Sequence, residues 1–179
     1  EIYNPGTGSW SNGPNLSFAR YGHTLTLLPG GGRALAVGGY NASSGMVIDA
    51  ERYLGGSWAN AGTLINPRFN HSANLLPDGR VLIAGGRNGG GVTFKEVEIS
   101  DPTYTGWTPG ASMRFQRERH VGVTQPDGSV LVAGGYFAGY LSTTETYDAG
   151  SGSWSNGNVL SAGRYSPFAG LLPSGWSIV

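Results

Sequence analysis

The stretch Arg68-Phe69-Asn70-His71-Ser72-Ala73-Asn74-Leu75-Leu76-Pro77-Asp78-Gly79-Arg80-Val81-Leu82-Ile83-Ala84-Gly85-Gly86 carries a hairpin turn, Pro77-Asp78-Gly79, followed by a short apolar run that ends on paired glycines. Proline pre-sets the first turn dihedral and Asp-Gly closes the turn, so the flanking segments read as antiparallel strands. Val81-Leu82-Ile83-Ala84 has the length and composition of a buried central strand. The same order returns downstream as Arg117, His120, Pro126-Asp127-Gly128, Val130-Leu131-Val132-Ala133 and Gly134-Gly135, and upstream as Arg20, His23, Leu27-Leu28-Pro29 and Gly38-Gly39. A fixed period decides an architecture more firmly than local propensity does.

Working outward, the segments Glu51-Arg52-Tyr53, Glu98-Ile99-Ser100 and Glu145-Thr146-Tyr147 alternate as half-buried strands do, with Glu1-Ile2-Tyr3 as a shortened first copy. Trp10, Trp58, Trp107 and Trp154 follow in phase, and the spacing between equivalent landmarks is 47 to 49 residues. The fourth Arg unit reads Arg164-Tyr165-Ser166-Pro167, so the last copy lacks the histidine. Each unit is expected to hold four antiparallel strands: the Arg-x-x-His strand, the Gly-Gly strand, the Glu-x-Tyr strand and the Trp strand. One such sheet has two apolar faces and must pack against neighbours of its own kind, which predicts an all-β fold, a β-propeller of four-stranded blades.

These residues in this order resemble the kelch repeat, and the resemblance covers essentially the whole chain. The Leu-Leu-Pro-Asp-Gly turns look most like bacterial kelch-like proteins and the central domain of galactose-oxidase-like enzymes. The expected organisation is a half blade over 1–19, blades over 20–67, 68–116 and 117–163, and a half blade over 164–179. The two halves are complementary and can complete a fourth blade. Three closures follow: four blades from one chain, eight from a homodimer, or a piece of a larger ring, the last favoured by a chain that stops at Ile178-Val179 just before the expected fourth Gly-Gly.

Eleven basic and eleven acidic residues cancel, so the electrostatic footprint of a nucleic-acid binder is missing. Lys95 is the one lysine, and the Arg114, Arg117 and Arg119 cluster is diluted by Glu118. There is no cysteine, which removes disulfides, thiolate metal sites and thiol nucleophiles. No apolar run reaches the length of a membrane span, so membrane insertion is not expected. Scarce lysine together with Gly, Ser, Asn and Thr richness favours an extracellular or cell-surface location.

His23, His71 and His120 occupy equivalent positions, which raises a metal site, but such positions lie a blade apart and read as structural. The repeating Arg and Glu suit charge-assisted bonds inside the scaffold. Asp49, Glu96, Asp101 and Glu118 break the repeat without a catalytic spacing, so no general acid or base is assigned. The repeated tryptophans read as packing residues. Resemblance to galactose-oxidase-like enzymes implies copper and a tyrosine crosslinked to cysteine, which a chain without cysteine cannot form, so no cofactor is expected. The candidate ligand contacts are the non-repeating loop residues Tyr40, Arg87, Phe94, Tyr136, Phe137 and Tyr140, in loops 40–47, 87–95 and 136–143, placed by strand alternation on one face with the connections 12–19 and 109–116. The expected function is a non-enzymatic binding or scaffold module for a protein or glycan partner. The alternatives are part of the central propeller of a carbohydrate-active or copper-radical enzyme, and a structural or engineered propeller without a ligand.

Overall fold

The computed structural model describes residues 1–175 and 177–179, and among them there is no helix. Eighteen strands follow in chain order: β1 (Ile2–Asn4), β2 (Ser9–Ser11), β3 (Thr24–Leu27), β4 (Ala34–Val37), β5 (Tyr40–Asn41), β6 (Gly45–Met46), β7 (Asp49–Tyr53), β8 (Trp58–Thr63) and β9 (Ser72–Leu75); then β10 (Val81–Ala84), β11 (Val97–Ser100), β12 (Trp107–Gly110), β13 (Val121–Thr124), β14 (Val130–Ala133), β15 (Thr144–Asp148), β16 (Ser153–Asn156), β17 (Gly170–Leu171) and β18 (Ser177–Ile178). Three four-stranded antiparallel sheets form in sequence, β3-β4-β7-β8, β9-β10-β11-β12 and β13-β14-β15-β16, flanked by the two-stranded hairpins β1-β2 and β17-β18.

The turns form where the Pro-Asp-Gly segments place them. The Gly79 amide donates to the Leu76 carbonyl at 2.9 Å and the Gly128 amide to the Gln125 carbonyl at 2.9 Å. The Arg-x-x-His units are not strands. They are turns that lead into β3, β9 and β13, because the residue before each histidine lies in the left-handed region: Gly22 (φ 63°), Asn70 (φ 56°) and Arg119 (φ 51°). The loop at 40–47 also differs from expectation, closing into the small hairpin β5-β6.

The core lies between the sheets. On β10, Val81 and Ile83 join Leu35, Val37, Ala50 and Leu64 of the first sheet. Leu82 and Ala84 point the other way, to Val130, Val132 and Tyr147 of the third. Every side chain of β10 and β11 is therefore buried, the pattern of strands covered on both faces. Fully burying one such aliphatic side chain contributes about 1.5–3 kcal/mol.

The outermost faces lack a neighbour. Leu25 and Leu27 on β3 are 62% and 77% exposed, whereas their counterparts on β9, Ala73 and Leu75, pack against the first sheet. The terminal hairpins do not join into a fourth sheet but stay separate two-stranded pairs. With two residues each, β17 and β18 offer too short a ladder to hold further strands without help from packing. No helix among the described residues is long and apolar enough to cross a membrane.

Candidate functional site

Each sheet carries a buried ion pair that fixes its loops. Arg68 is fully buried; its Nη1 donates to the carbonyls of Gly85 (2.9 Å) and Glu96 (2.7 Å), and its Nη2 to Glu98 Oε1 (2.8 Å). Glu98 in turn accepts the backbone amides of Ile65 (2.8 Å) and Asn66 (2.9 Å). Arg117 repeats the pattern with Gly134, Thr143 and Glu145, and Arg20 with Gly38, Asp49 and Glu51. Burial pulls all three guanidinium groups below their ordinary pKa, and the facing carboxylates oppose that shift. Each pair clamps the connection from one sheet to the next at the Gly-Gly end, which makes that end rigid.

The residue after each Gly-Gly then bridges the residue after the arginine: Tyr40 with Tyr21, Arg87 with Phe69, Tyr136 with Glu118. Side chains from neighbouring sheets meet there. Tyr40 lies 5.6 Å from Tyr21 and 5.5 Å from Phe69, centroid to centroid, and the Arg87 guanidinium sits over Phe69 at 5.6 Å. Arg87 Nη1 reaches Glu118 Oε1 at 3.5 Å, and Asn70 Nδ2 donates to Glu118 Oε2 at 3.2 Å. Beyond Glu118, Tyr136, Tyr140 and Tyr165 form a second cluster with centroids 5.9–6.1 Å apart, and Arg119 covers Tyr165 at 5.2 Å. The result is a stripe of two aromatic clusters joined by one ion pair, running across all three sheets to Tyr165 in the segment that precedes β17.

Four of the six residues singled out from the sequence, Tyr40, Arg87, Tyr136 and Tyr140, lie in this stripe. Phe94 does not: it is half-buried and stacks on the Arg68 guanidinium at 5.0 Å, a packing contact. Phe137 is exposed but joins neither cluster. Sequence reasoning missed Tyr21, Phe69 and Tyr165. Their signal was the variable position directly after each repeated arginine, which shares a register with the position after Gly-Gly. Two of the loops touch the sheet-to-sheet connections: Asn41 Nδ2 donates to the Ala19 carbonyl (2.7 Å), and the Met113 amide to the Lys95 carbonyl (2.9 Å).

The histidines serve the joints between sheets. His71 Nε2 meets Thr24 Oγ1 at 3.0 Å, and His120 Nε2 meets Ser72 Oγ at 2.9 Å. Burial and the nearby Arg68 charge push His71 down to about 3, and burial together with the Arg117 charge holds His120 well below its ordinary value. Among the described residues no three His, Asp or Glu side chains gather to hold a metal, and with His71 and His120 committed to hydroxyls and no cysteine present, the donor set does not fit a copper-radical centre. The four acids outside the repeat are tied locally: Asp49 to Thr63, Glu96 to the Lys95 amide, Asp101 to Thr103 and Thr105, Glu118 to Arg87 and Asn70. The tryptophans bond the preceding segment, Trp58 Nε1 to Pro14 O (3.1 Å), Trp107 to Ala61 (3.2 Å) and Trp154 to Ala111 (2.8 Å). A concavity of about 500 Å³ lies at the opposite end by the Pro-Asp-Gly turns, lined by Asp78, Asp127 and Asp148. It lacks aromatic surface, and the stripe is the more complete binding surface.

No family model and no curated protein matches the chain. Among solved structures the chain is similar to that of YjhT, with a TM-score of 0.74 and 15% identity over 86% of this chain. The match covers 57% of YjhT, so this chain spans a little over half the length of that protein. At that identity the likeness shows an all-β fold of the same kind and nothing of activity.

Proposed function

We propose that the sheets are kelch-type propeller blades and that the molecule is a non-enzymatic binding module, acting at the cell surface or outside the cell, which holds a protein or glycan partner on its loop face. The observation that carries this reading is the stripe from Tyr21 to Tyr165. Tyrosines provide broad contact area at low entropic cost and keep a hydroxyl for hydrogen bonding. Arg87 and Arg119 are presented on aromatic faces, where a partner's carboxylate or hydroxyl can reach them. Exposed aromatic clusters of this kind on a rigid scaffold are the usual anchors of an interface.

Calorimetric titration with neutral and acidic oligosaccharides, and separately with extended peptides, tests the proposal and separates the two partner classes. Replacing Tyr140 and Tyr165 by alanine is expected to weaken the binding by about tenfold or more while leaving the urea midpoint unchanged. If the double variant binds every ligand as the parent does, the stripe is not the site.

A further inference from the structure

Four residues of left-handed backbone, Gly22 (φ 63°), Asn70 (φ 56°), Arg119 (φ 51°) and Ser166 (φ 50°), are joined in a row. The Asn70 amide donates to the Gly22 carbonyl, that of Arg119 to Asn70 and that of Ser166 to Arg119, at 2.8–3.0 Å. Glycine takes this backbone freely and asparagine tolerates it, whereas arginine is strained there. Gly22 shows that the row can be built without a side chain, so the arginine at 119 calls for a reason other than folding. What the strained backbone achieves is the placement of one cation. The Arg119 guanidinium lies over the Tyr165 ring at 5.2 Å and makes no ion pair among the described residues. The adjacent acid does not neutralise it, because the Glu118 side chain is 7% exposed and is taken by Arg87 and Asn70. Arg20, Arg68 and Arg117, by contrast, each face a glutamate.

Arg119 and the exposed Ser166 line a concavity of about 250 Å³, together with Asn70, His71 and His120. Both of these histidines are more than nine-tenths buried, with Nε2 on a hydroxyl and Nδ1 without a hydrogen-bond partner. Burial keeps the two rings neutral, so the wall they form is polar but uncharged. We infer that this concavity is a carboxylate-binding site, in which the Arg119 guanidinium receives both oxygens of one carboxylate and the Ser166 hydroxyl donates a further hydrogen bond. A guanidinium stacked on an aromatic ring keeps its edge free, and its parallel N–H groups match the two oxygens of a carboxylate. Arg119 is the one cation of the lining, which suits a single negative charge; a phosphate dianion would meet neutral imidazoles where it needs further cations. The room admits a short acid or the side chain of an aspartate or glutamate, so the same chemistry can arrive free or on a protein. The site adjoins the aromatic stripe but does not rest on the stripe's holding a partner.

The test is an amide chemical-shift titration of the full chain by NMR, with acetate exchanged for chloride at constant ionic strength and acetamide as the uncharged control. Acetate is expected to shift the Arg119 and Ser166 amides saturably, and acetamide to leave them in place. The peptides acetyl-Gly-Asp-Gly-amide and acetyl-Gly-Asn-Gly-amide distinguish the sources. An Asp peptide that binds more tightly than acetate, while the Asn peptide does not bind, assigns the carboxylate to a protein; an Asp peptide no tighter than acetate assigns it to a free acid. Arg119→Gly is expected to weaken acetate binding by about tenfold or more, the contribution of charge-assisted hydrogen bonds. Its urea midpoint is expected to stay level or rise, because glycine relieves the left-handed strain. Acetate and acetamide acting alike, or acetate binding unchanged in Arg119→Gly, would overturn the inference. So would a lower urea midpoint in that variant, since it would make Arg119 a residue kept for folding.

Discussion

At the scale of single residues, the buried Arg68–Glu98 pair and the exposed Arg80–Asp78 pair are chemically alike and energetically far apart. Glu98→Ala strands a buried guanidinium and the amides of Ile65 and Asn66, and is expected to cost about 3–5 kcal/mol in urea unfolding. Arg80→Ala removes a bond that water readily replaces and is expected to cost less than about 1 kcal/mol. The histidines set an acid limit. Below about pH 6.5 the unfolded chain protonates rings that the folded chain keeps neutral, His71 down to about pH 3. Stability therefore falls as pH drops through that window, by up to about 1.4 kcal/mol per pH unit for each buried ring. Urea midpoints measured between pH 7 and pH 4 check this, and His71→Gln, which keeps a hydrogen-bonding group toward Thr24, is expected to remove one ring's share of the slope. The repeated Arg and Glu could be read from the sequence as a scaffold pair because both recur in phase. The partners of the histidines could not, since Thr24 and Ser72 lie 47 and 48 residues away and meet them only across a joint.

At the scale of elements, the Gly-Gly pairs end the central strands and join the sheets. A Cβ on Gly85 would lie 2.5 Å from the Arg117 carbonyl oxygen, and its φ of +63° disfavours a side chain on its own account. Gly85→Ala is expected to destabilise by at least about 2 kcal/mol, against about 0.5 kcal/mol or less for Gly90→Ala in the neighbouring loop, both read from chemical denaturation. The strand order within each sheet was legible from the apolar runs and turn residues. The turn at each Arg-x-x-His was less so, because Asn70 and Arg119 adopt a left-handed backbone that their sequence signals weakly and that the bond to the preceding sheet's Gly22 or Asn70 carbonyl holds in place.

At the scale of the whole molecule, protection is graded along the series of sheets. Amide exchange is expected to be slowest in β10 and β11, which are covered on both sides, and fastest in β1-β2 and β17-β18, which have one neighbouring sheet at most; mass spectrometry of exchanged peptides resolves the order. Equal protection throughout would mean that the terminal hairpins are completed in solution. By itself the sequence determined the repeat, the all-β class, the antiparallel order within each unit and the neutral, cysteine-free chemistry of the surface. Those properties are local: turn residues, strand periodicity and composition act over a few positions. Only the tertiary structure decided that Phe94 packs on Arg68 while Tyr21, Phe69 and Tyr165 complete the exposed stripe, and that His71 and His120 reach hydroxyls of the preceding sheet. Those contacts join residues tens of positions apart, and packing of one twisted sheet against the next, rather than any spacing along the chain, sets which side chains meet.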